Sequence, residues 1–149
     1  MLHYFESKDD LWVALLRTRD EIDAAKDPDD PDPAGTFAAT VRHNADVPGL
    51  VQMFANLSAA AATDPEHPAN AYFRERYAHS RRTIAAGLAR MQASGRLDSS
   101  VDPEMLASIL MAVSDGMQVQ WMYDDTRDMA AHVEAVIALA QAGAPRREP

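Results

Sequence analysis

The sequence contains no cysteine, which excludes disulfide bonds, thiolate metal sites and a cysteine nucleophile. Glycine is scarce, at 6 of 149 residues, and no segment shows the period-two alternation of a half-buried strand. No run of about 18 apolar residues occurs, so nothing predicts a membrane span. With 47% hydrophobic and 25% charged residues, the composition is that of one globular domain and not of a disordered chain.

Basic residues are also few, because 14 lysines and arginines face 23 acids and leave a net charge of −9. Non-specific binding to nucleic acid depends on cations that neutralise phosphates, so this chain is expected to be a poor binder of that kind. Much of the negative charge lies in residues 1–33, which include the segment DPDDPDP. That segment lacks the glycine and the ligand spacing of a calcium loop and is interpreted as a solvated acidic loop. We predict no metal and no cofactor.

Between the breaks, apolar residues recur at the helical period, so the sequence predicts an all-α fold of six helices. Ser7 followed by Asp10 is a variant of the capping box, and Asp102 before Pro103 is typical of a helix start. Gly95 is the expected stop signal of the fourth helix. The predicted helices cover residues 7–26, 34–46, 48–63, 68–94, 103–124 and 127–142, the third and fourth each opening on a proline.

The fifth predicted helix is apolar on two sides. On a helical wheel, its broad face contains Leu106, Ile109, Leu110, Val113, Met117 and Trp121. Such a helix must be covered from both sides, either deep within one core or by a second subunit. Two helices from each of two subunits would form a four-helix bundle. We therefore predict a homodimer whose interface lies on the second flank of this helix and on one stripe of the last helix. The interface residues are Met105, Ala112, Gly116, Val119, Tyr123, Val133, Val136, Ile137 and Ala140.

Catalytic motifs are missing from the sequence, which has no GxSxG, HExxH or GxGxxG. The five histidines are scattered along the chain. His132 and Glu134 are two residues apart on a helix, so their side chains diverge and cannot share a metal. We predict no catalytic residue and no enzymatic activity.

Two segments carry a family resemblance. LHYFESKDDLWVALL resembles the junction between the recognition helix and the fourth helix in TetR/AcrR-type transcriptional regulators. The segment GRLDSSVDPEMLASILMAVSDGMQVQWMYD resembles the eighth helix of the regulatory domain in that family, with the pair Asp115 and Gly116 inside the helix. The residues that match are Leu2, His3, Tyr4, Phe5, Ser7, Lys8, Asp9, Asp10, Leu11, Gly95, Arg96, Asp102, Pro103, Asp115 and Gly116.

The resemblance implies a domain organisation. Residues 1–6 correspond to the tail of the recognition helix, residues 7–142 to the regulatory domain and residues 143–149 to a flexible tail. The three-helix DNA-binding module that precedes the junction in the family is expected to be missing here, so operator DNA would be a partner only where that module is present. Lys8 matches the lysine that touches a DNA phosphate in the family, while His3 departs from the usual aromatic residue. The resemblance implies a cytoplasmic protein without a membrane partner.

The resemblance also implies a ligand-responsive transcriptional regulator. Family members bind a small apolar or amphipathic effector between the fourth and eighth helices, here residues 7–26 and 103–124. Methionine and aromatic side chains suit an adaptable apolar pocket, although any one of them is more often part of an ordinary core. The candidate ligand-binding residues are Trp12, Leu16, Met53, Phe54, Leu57, Tyr77, Met91, Met111, Met117 and Trp121, with Asn56, Tyr77 and Gln118 as polar contacts. The alternative is a helical dimerisation or interaction module that binds no small molecule.

Overall fold

A computed structural model describes residues 5–24 and 30–143. In this part of the chain there are six α-helices and no strand, as the sequence predicts. They are α1 (Lys8–Ala24), α2 (Pro33–Ala45), α3 (Leu50–Thr63), α4 (Asn70–Ala93), α5 (Pro103–Tyr123) and α6 (Met129–Ala142). The hypotheses that concern Leu2, His3 and Tyr4, the end of the first helix near Lys26 and the tail after Gly143 lie outside the described residues.

Side-chain caps define most helix starts. The Ser7 hydroxyl oxygen accepts a hydrogen bond from the backbone nitrogen of Asp10 at 3.1 Å and donates to the Asp10 carboxylate at 2.8 Å, which confirms the predicted capping box. Asp102 accepts from the nitrogen of Glu104 at 2.9 Å, which confirms that cap as well. Asp32 and Asp128 cap α2 and α6 in the same way.

Three predicted starts are early by two residues. The sixth helix was expected from residue 127, but α6 begins at Met129. The third and fourth helices were expected to open on Pro48 and Pro68, but α3 begins at Leu50 and α4 at Asn70. Both prolines lie in turns just ahead of the helices, where their fixed φ angle is equally suitable. At the other end of α4, Gly95 adopts a φ of 75°, and the nitrogen of Arg96 donates back to the carbonyl of Met91 at 2.8 Å. Gly95 is therefore the predicted stop signal, since a left-handed residue closes the helix there.

Among the residues that the structure describes, buried side chains form three cores. The central core joins α2, α4, α5 and α6, and Leu88 and Leu110 are completely buried within it. The aromatic core joins α1, α3 and α4 and consists of Leu16, Leu57, Ala61, Ala69, Tyr72 and Phe73, with Trp12, Val13, Leu50, Met53, Phe54 and Tyr77 half-buried around it. The third core consists of Val41, Val51, Met117, Met129 and Ala130, with Trp121 beside them. Helix α1 thus packs against α3 and α4 through the aromatic core.

The approach of α2 to α4 requires a glycine. A Cβ atom built on Gly87 would overlap the buried ring of Pro33, the first residue of α2. A Gly87→Ala variant should therefore lose roughly 1–2 kcal/mol of stability, because overpacking costs about 1–3 kcal/mol and the gain in helix propensity offsets only part of it. Chemical denaturation measures this loss. In a Pro33→Ala background the two closest ring atoms, Cγ and Cδ, are absent and only the Cβ atom stays near, so the loss should become smaller, and an equal loss in both backgrounds would contradict the explanation.

Candidate functional site

The aromatic core is centred on Phe73 of α4. Its ring packs edge-to-face against Phe54 of α3, at 5.2 Å between centroids, and against Tyr72, at 5.0 Å. Tyr77, one helical turn further along α4, lies 6.3 Å away with a tilted ring. Leu16 of α1 is buried in the same core. Three helices therefore meet on one group of aromatic rings, and such contacts add to the stability that burial gives.

The structure brings six of the ten predicted ligand-binding residues together in this core. The six are Trp12, Leu16, Met53, Phe54, Leu57 and Tyr77. Met91 and Met111 belong instead to the central core, and Met117 and Trp121 belong to the third core. Among the predicted polar contacts, Asn56 is exposed, whereas Tyr77 and Gln118 are half-buried. The predicted set is thus divided over three places, of which the aromatic core holds most.

Tyr77 carries the polar contact at the edge of the aromatic core. Its hydroxyl donates a hydrogen bond of 2.8 Å to the carboxylate of Asp115, which is half-buried on α5. Burial raises the pKa of Asp115 above its ordinary value, although the Tyr77 hydroxyl and the charge of Arg76 act in the opposite direction. Burial also raises the pKa of Tyr77, so the phenol stays protonated and continues to donate. The pair links α4 to α5 beside the predicted effector region.

The raised pKa of Asp115 predicts a pH dependence of stability. The Asp115 carboxyl ionises less readily in the folded chain than in the unfolded chain. Its contribution to the free energy of unfolding is therefore fully present below the ordinary pKa of aspartate and is lost as the pH rises through the pKa of the folded state. An Asp115→Asn variant, whose amide oxygen still accepts from Tyr77, should be more stable than the parent at about pH 7, because the amide brings no charge into the half-buried site. At about pH 3 the difference should vanish, because Asp115 is then neutral. Melting curves at both pH values test this, and a difference that does not change with pH would contradict it.

A second polar network, which the sequence analysis missed, attaches α1 to α4. The Tyr72 hydroxyl donates to the Asp20 carboxylate at 2.7 Å, and the Arg76 guanidinium donates to the other oxygen of that carboxylate. Further along the interface, Arg17 pairs with Glu75 at 3.3 Å. One signal was present in the sequence, because Asp20 follows Leu16 by one turn on the inward side of α1. A carboxylate in that position requires a partner on the neighbouring helix.

Among the cavities that the described residues form, two lie beside these cores. The larger, of about 370 Å³, lies where α2 ends and α6 begins and includes Val41, Arg42, Asp46, Trp121 and Met129 in its lining. The smaller, of about 190 Å³, lies between α1 and α4 and is lined by Arg17, Asp20, Glu21, Tyr72, Glu75, Arg76 and His79. Of the ten predicted ligand-binding residues, Trp121 lines the larger cavity, and none lines the smaller one.

The predicted interface flank of α5 is exposed. Tyr123 is 90% exposed and Met105 60%, and Ala112, Gly116 and Val119 are exposed between them. Ile109 was expected on the inward face, but it is 42% exposed and extends this flank. No described residue covers a substituent at Gly116, because a Cβ atom there would meet nothing within 4 Å.

The predicted interface stripe of α6 faces inward. Val133 is completely buried in the central core, so its assignment to an interface is wrong. Val136, Ile137 and Ala140 are half-buried against the same core, which leaves them little surface for a partner. The exposed side of α6 instead carries Ala131, Ala135, Ala138, Leu139 and Ala142, and Leu139 is 76% exposed. The helix has two apolar sides, and the bulkier stripe belongs to the core.

Lys8, the predicted phosphate contact, is the first residue of α1 and is exposed. Its ammonium group lies 5.9 Å from the centroid of the Trp12 ring, within the range of a cation–π contact. The charge is accessible to solvent. Its contact with DNA stays a prediction.

The fold and the sequence together define the class of protein. Residues 36–142 match the family model of the BetI-type transcriptional repressor, C-terminal domain. This is a regulatory domain of a TetR-type transcriptional regulator, and the family is one of regulators and not of enzymes. The chain belongs to the BetI-type repressor C-terminal family, as the resemblance predicts. Neither curated proteins nor solved structures gave a significant match. Among the described helices, none is long and apolar enough to cross a membrane.

Proposed function

We propose that this regulatory domain acts as a homodimer that senses a small apolar or amphipathic molecule and passes the binding event to α1. In the family, the helix that corresponds to α1 leads to the DNA-binding module, so the protein would act in the cytoplasm on operator DNA wherever that module is present. The observation that carries the proposal is the exposed apolar flank of α5, since an exposed apolar patch of this kind marks an interaction site.

The spacing of the α5 flank supports pairing with a second helix. Its exposed residues follow one another at alternating intervals of four and three, which is the heptad spacing of a helix–helix seam. The residues are Met105, Ile109, Ala112, Gly116, Val119 and Tyr123. Large side chains occupy the two ends and small ones the middle, so two such helices can approach closely at Ala112 and Gly116. Packing of this type produces the shallow crossing angle of four-helix bundles.

The exposed side of α6 has the same spacing. Ala131, Ala135, Ala138 and Ala142 are separated by four, three and four residues, and Leu139 lies beside them. Because α5 and α6 pack against each other, each subunit would contribute a helix pair to the bundle. A second copy of the chain is the simplest partner, since an isologous interface needs only one self-complementary surface.

The aromatic core supports the sensing part of the proposal. Trp12, Met53 and Phe54 are half-buried at its edge, and thioether and aromatic side chains can repack around a guest molecule. Leu16 of α1 is buried in the same core, so a molecule that enters there must displace α1 relative to α3 and α4. Such a ligand would favour the arrangement of α1 that it binds more tightly, and the size of the population shift would depend on the ratio of its affinities for the two arrangements.

Ligand screening by thermal shift tests the sensing function. A panel of long-chain alcohols, fatty acids and naphthalene derivatives should contain molecules that raise the melting temperature, because ligand at 100 times its Kd stabilises by about 2.7 kcal/mol. The response should fall in a Phe54→Ala variant and persist in an Ala86→Ser variant, whose substitution lies on the exposed side of α4. A response that is equal in the Phe54→Ala variant would place the ligand elsewhere.

The alternative is an interaction module that dimerises and binds no small molecule. The position of the two cavities favours it, because neither is lined by the residues at the edge of the aromatic core. The thermal-shift screen distinguishes the two functions. A module without an effector dimerises, but no compound of the panel changes its melting temperature.

A further inference from the structure

Arg76 is the one charged side chain of α4 that reaches both the aromatic core and α1 among the described contacts. Its guanidinium carbon lies 5.2 Å from the centroid of the Phe54 ring on α3. Its Nη1 atom donates to the Asp20 carboxylate on α1 and to the Tyr72 hydroxyl, the latter at 3.3 Å. The side chain is 28% exposed. A single guanidinium group therefore contacts α3 through Phe54 and α1 through Asp20.

The surroundings make these two contacts depend on each other. Burial lowers the pKa of Arg76, while the nearby Asp115 and Tyr77 favour the charged form and Arg19 disfavours it. A cation that is partly withdrawn from water needs its carboxylate partner and its aromatic face together. The guanidinium plane is rigid, so it cannot tilt away from Phe54 without also changing the direction of its bonds to Asp20. Phe54 has no polar side-chain atom of its own with which to reach Asp20.

We propose that Arg76 couples the aromatic core to α1, so that a displacement of the Phe54 ring is transmitted through the guanidinium to Asp20 and changes how firmly α1 is held. This inference rests on the proposed function, since it names the residue through which an effector in that core would act on α1. It assigns Arg76 a positioning role and no direct contact with the effector.

Other polar contacts of α1 do not involve Phe54 and serve as controls, although the Arg17 guanidinium carbon also lies 5.2 Å from the centroid of the Tyr72 ring. Arg17 pairs with Glu75 at 3.3 Å, with both side chains about half exposed or more. The Nε2 atom of His67 lies 3.3 Å from the Asp9 carboxylate near the start of α1. Glu75 and His67 hold α1 but are not part of the aromatic core. Glu75→Gln is the matched control, because it removes one α1–α4 ion pair and leaves the Arg76 contacts in place.

Hydrogen exchange of the α1 amides, measured by mass spectrometry on the full chain without ligand, tests the coupling. The variants are Asp20→Asn, Phe54→Leu and their combination, in the parent chain and with Arg76→Gln. Asp20→Asn and Phe54→Leu should each speed the exchange of the α1 amides by about five- to tenfold. If the two residues are coupled, the double variant should exchange more slowly, by more than about threefold, than the product of the two single effects predicts. In the Arg76→Gln background, Phe54→Leu should no longer change α1 exchange, whereas Glu75→Gln should combine multiplicatively with Phe54→Leu.

Two results would overturn the proposal. One is α1 exchange that does not respond to Phe54→Leu, and the other is a Phe54→Leu effect of unchanged size when Arg76 is glutamine. If Arg76→Gln does not fold, the cycle between Asp20 and Phe54 in the parent chain decides alone, and effects that multiply within about twofold refute the coupling. Because this measurement needs no effector, its failure leaves the ligand screen unaffected, and an empty ligand screen leaves this measurement valid.

Discussion

A Gly116→Leu variant is expected to remain folded and to lose the dimer. Gly116 lies in the middle of the exposed α5 flank, and a substituent there meets no atom of its own chain within 4 Å. Leucine also favours the helix over glycine by about 0.5–1 kcal/mol. In a two-fold seam the added side chain is present twice, and overpacking costs about 1–3 kcal/mol at each copy. The dimer should therefore weaken by about 100-fold or more, which sedimentation velocity over a concentration series can measure.

The control for this variant is a leucine at an exposed position on another helix. Ala86→Leu on α4 adds a similar side chain to an exposed helical surface, and its association should equal that of the parent. Circular dichroism of Gly116→Leu should show full helicity and thus separate lost association from lost folding. A parent chain that sediments as a monomer at micromolar concentration would refute the interface, as would a Gly116→Leu chain with unchanged association.

The sequence was sufficient for the helices but not for the orientation of the last one. Apolar periodicity and the capping residues Ser7 and Asp102 located the helix ends that the structure describes to within about two residues, because these signals are local. In α6, both sides are apolar, and periodicity cannot show which side meets the core. Val133 and its neighbours are bulkier than the alanines opposite, and the larger side chains fill the interior.

The candidate site was only partly predictable for a related reason. An apolar pattern indicates that Met91 or Met117 is buried, but it does not reveal which neighbours surround each side chain. The ten candidates consequently divide among three cores. The partner of Asp20 was not predictable either, because 56 residues separate Asp20 from Arg76 and only the packing of α1 on α4 brings them together.

A Phe73→Ala variant should lose about 3–5 kcal/mol of stability, the usual cost of removing a buried aromatic side chain. Phe73 is 5% exposed and contacts the rings of Phe54, Tyr72 and Tyr77, so the substitution leaves a void where α1, α3 and α4 meet. The melting temperature should fall by about 10 °C, given roughly 2–4 °C per kcal/mol for a domain of this size.

The control for the void is Phe73→Leu, which keeps most of the apolar volume and should cost less than about 1.5 kcal/mol. An apolar void of this kind stays dry and accepts small aromatic molecules, so benzene or indole should restore part of the melting temperature of Phe73→Ala and leave Phe73→Leu unchanged. Recovery of this kind would show that the aromatic core can admit a guest while α1 stays folded against it, which is what an effector site in this position requires. A Phe73→Ala chain that melts with the parent would mean that the three helices are not held together by this core, and the sensing proposal would lose its physical basis.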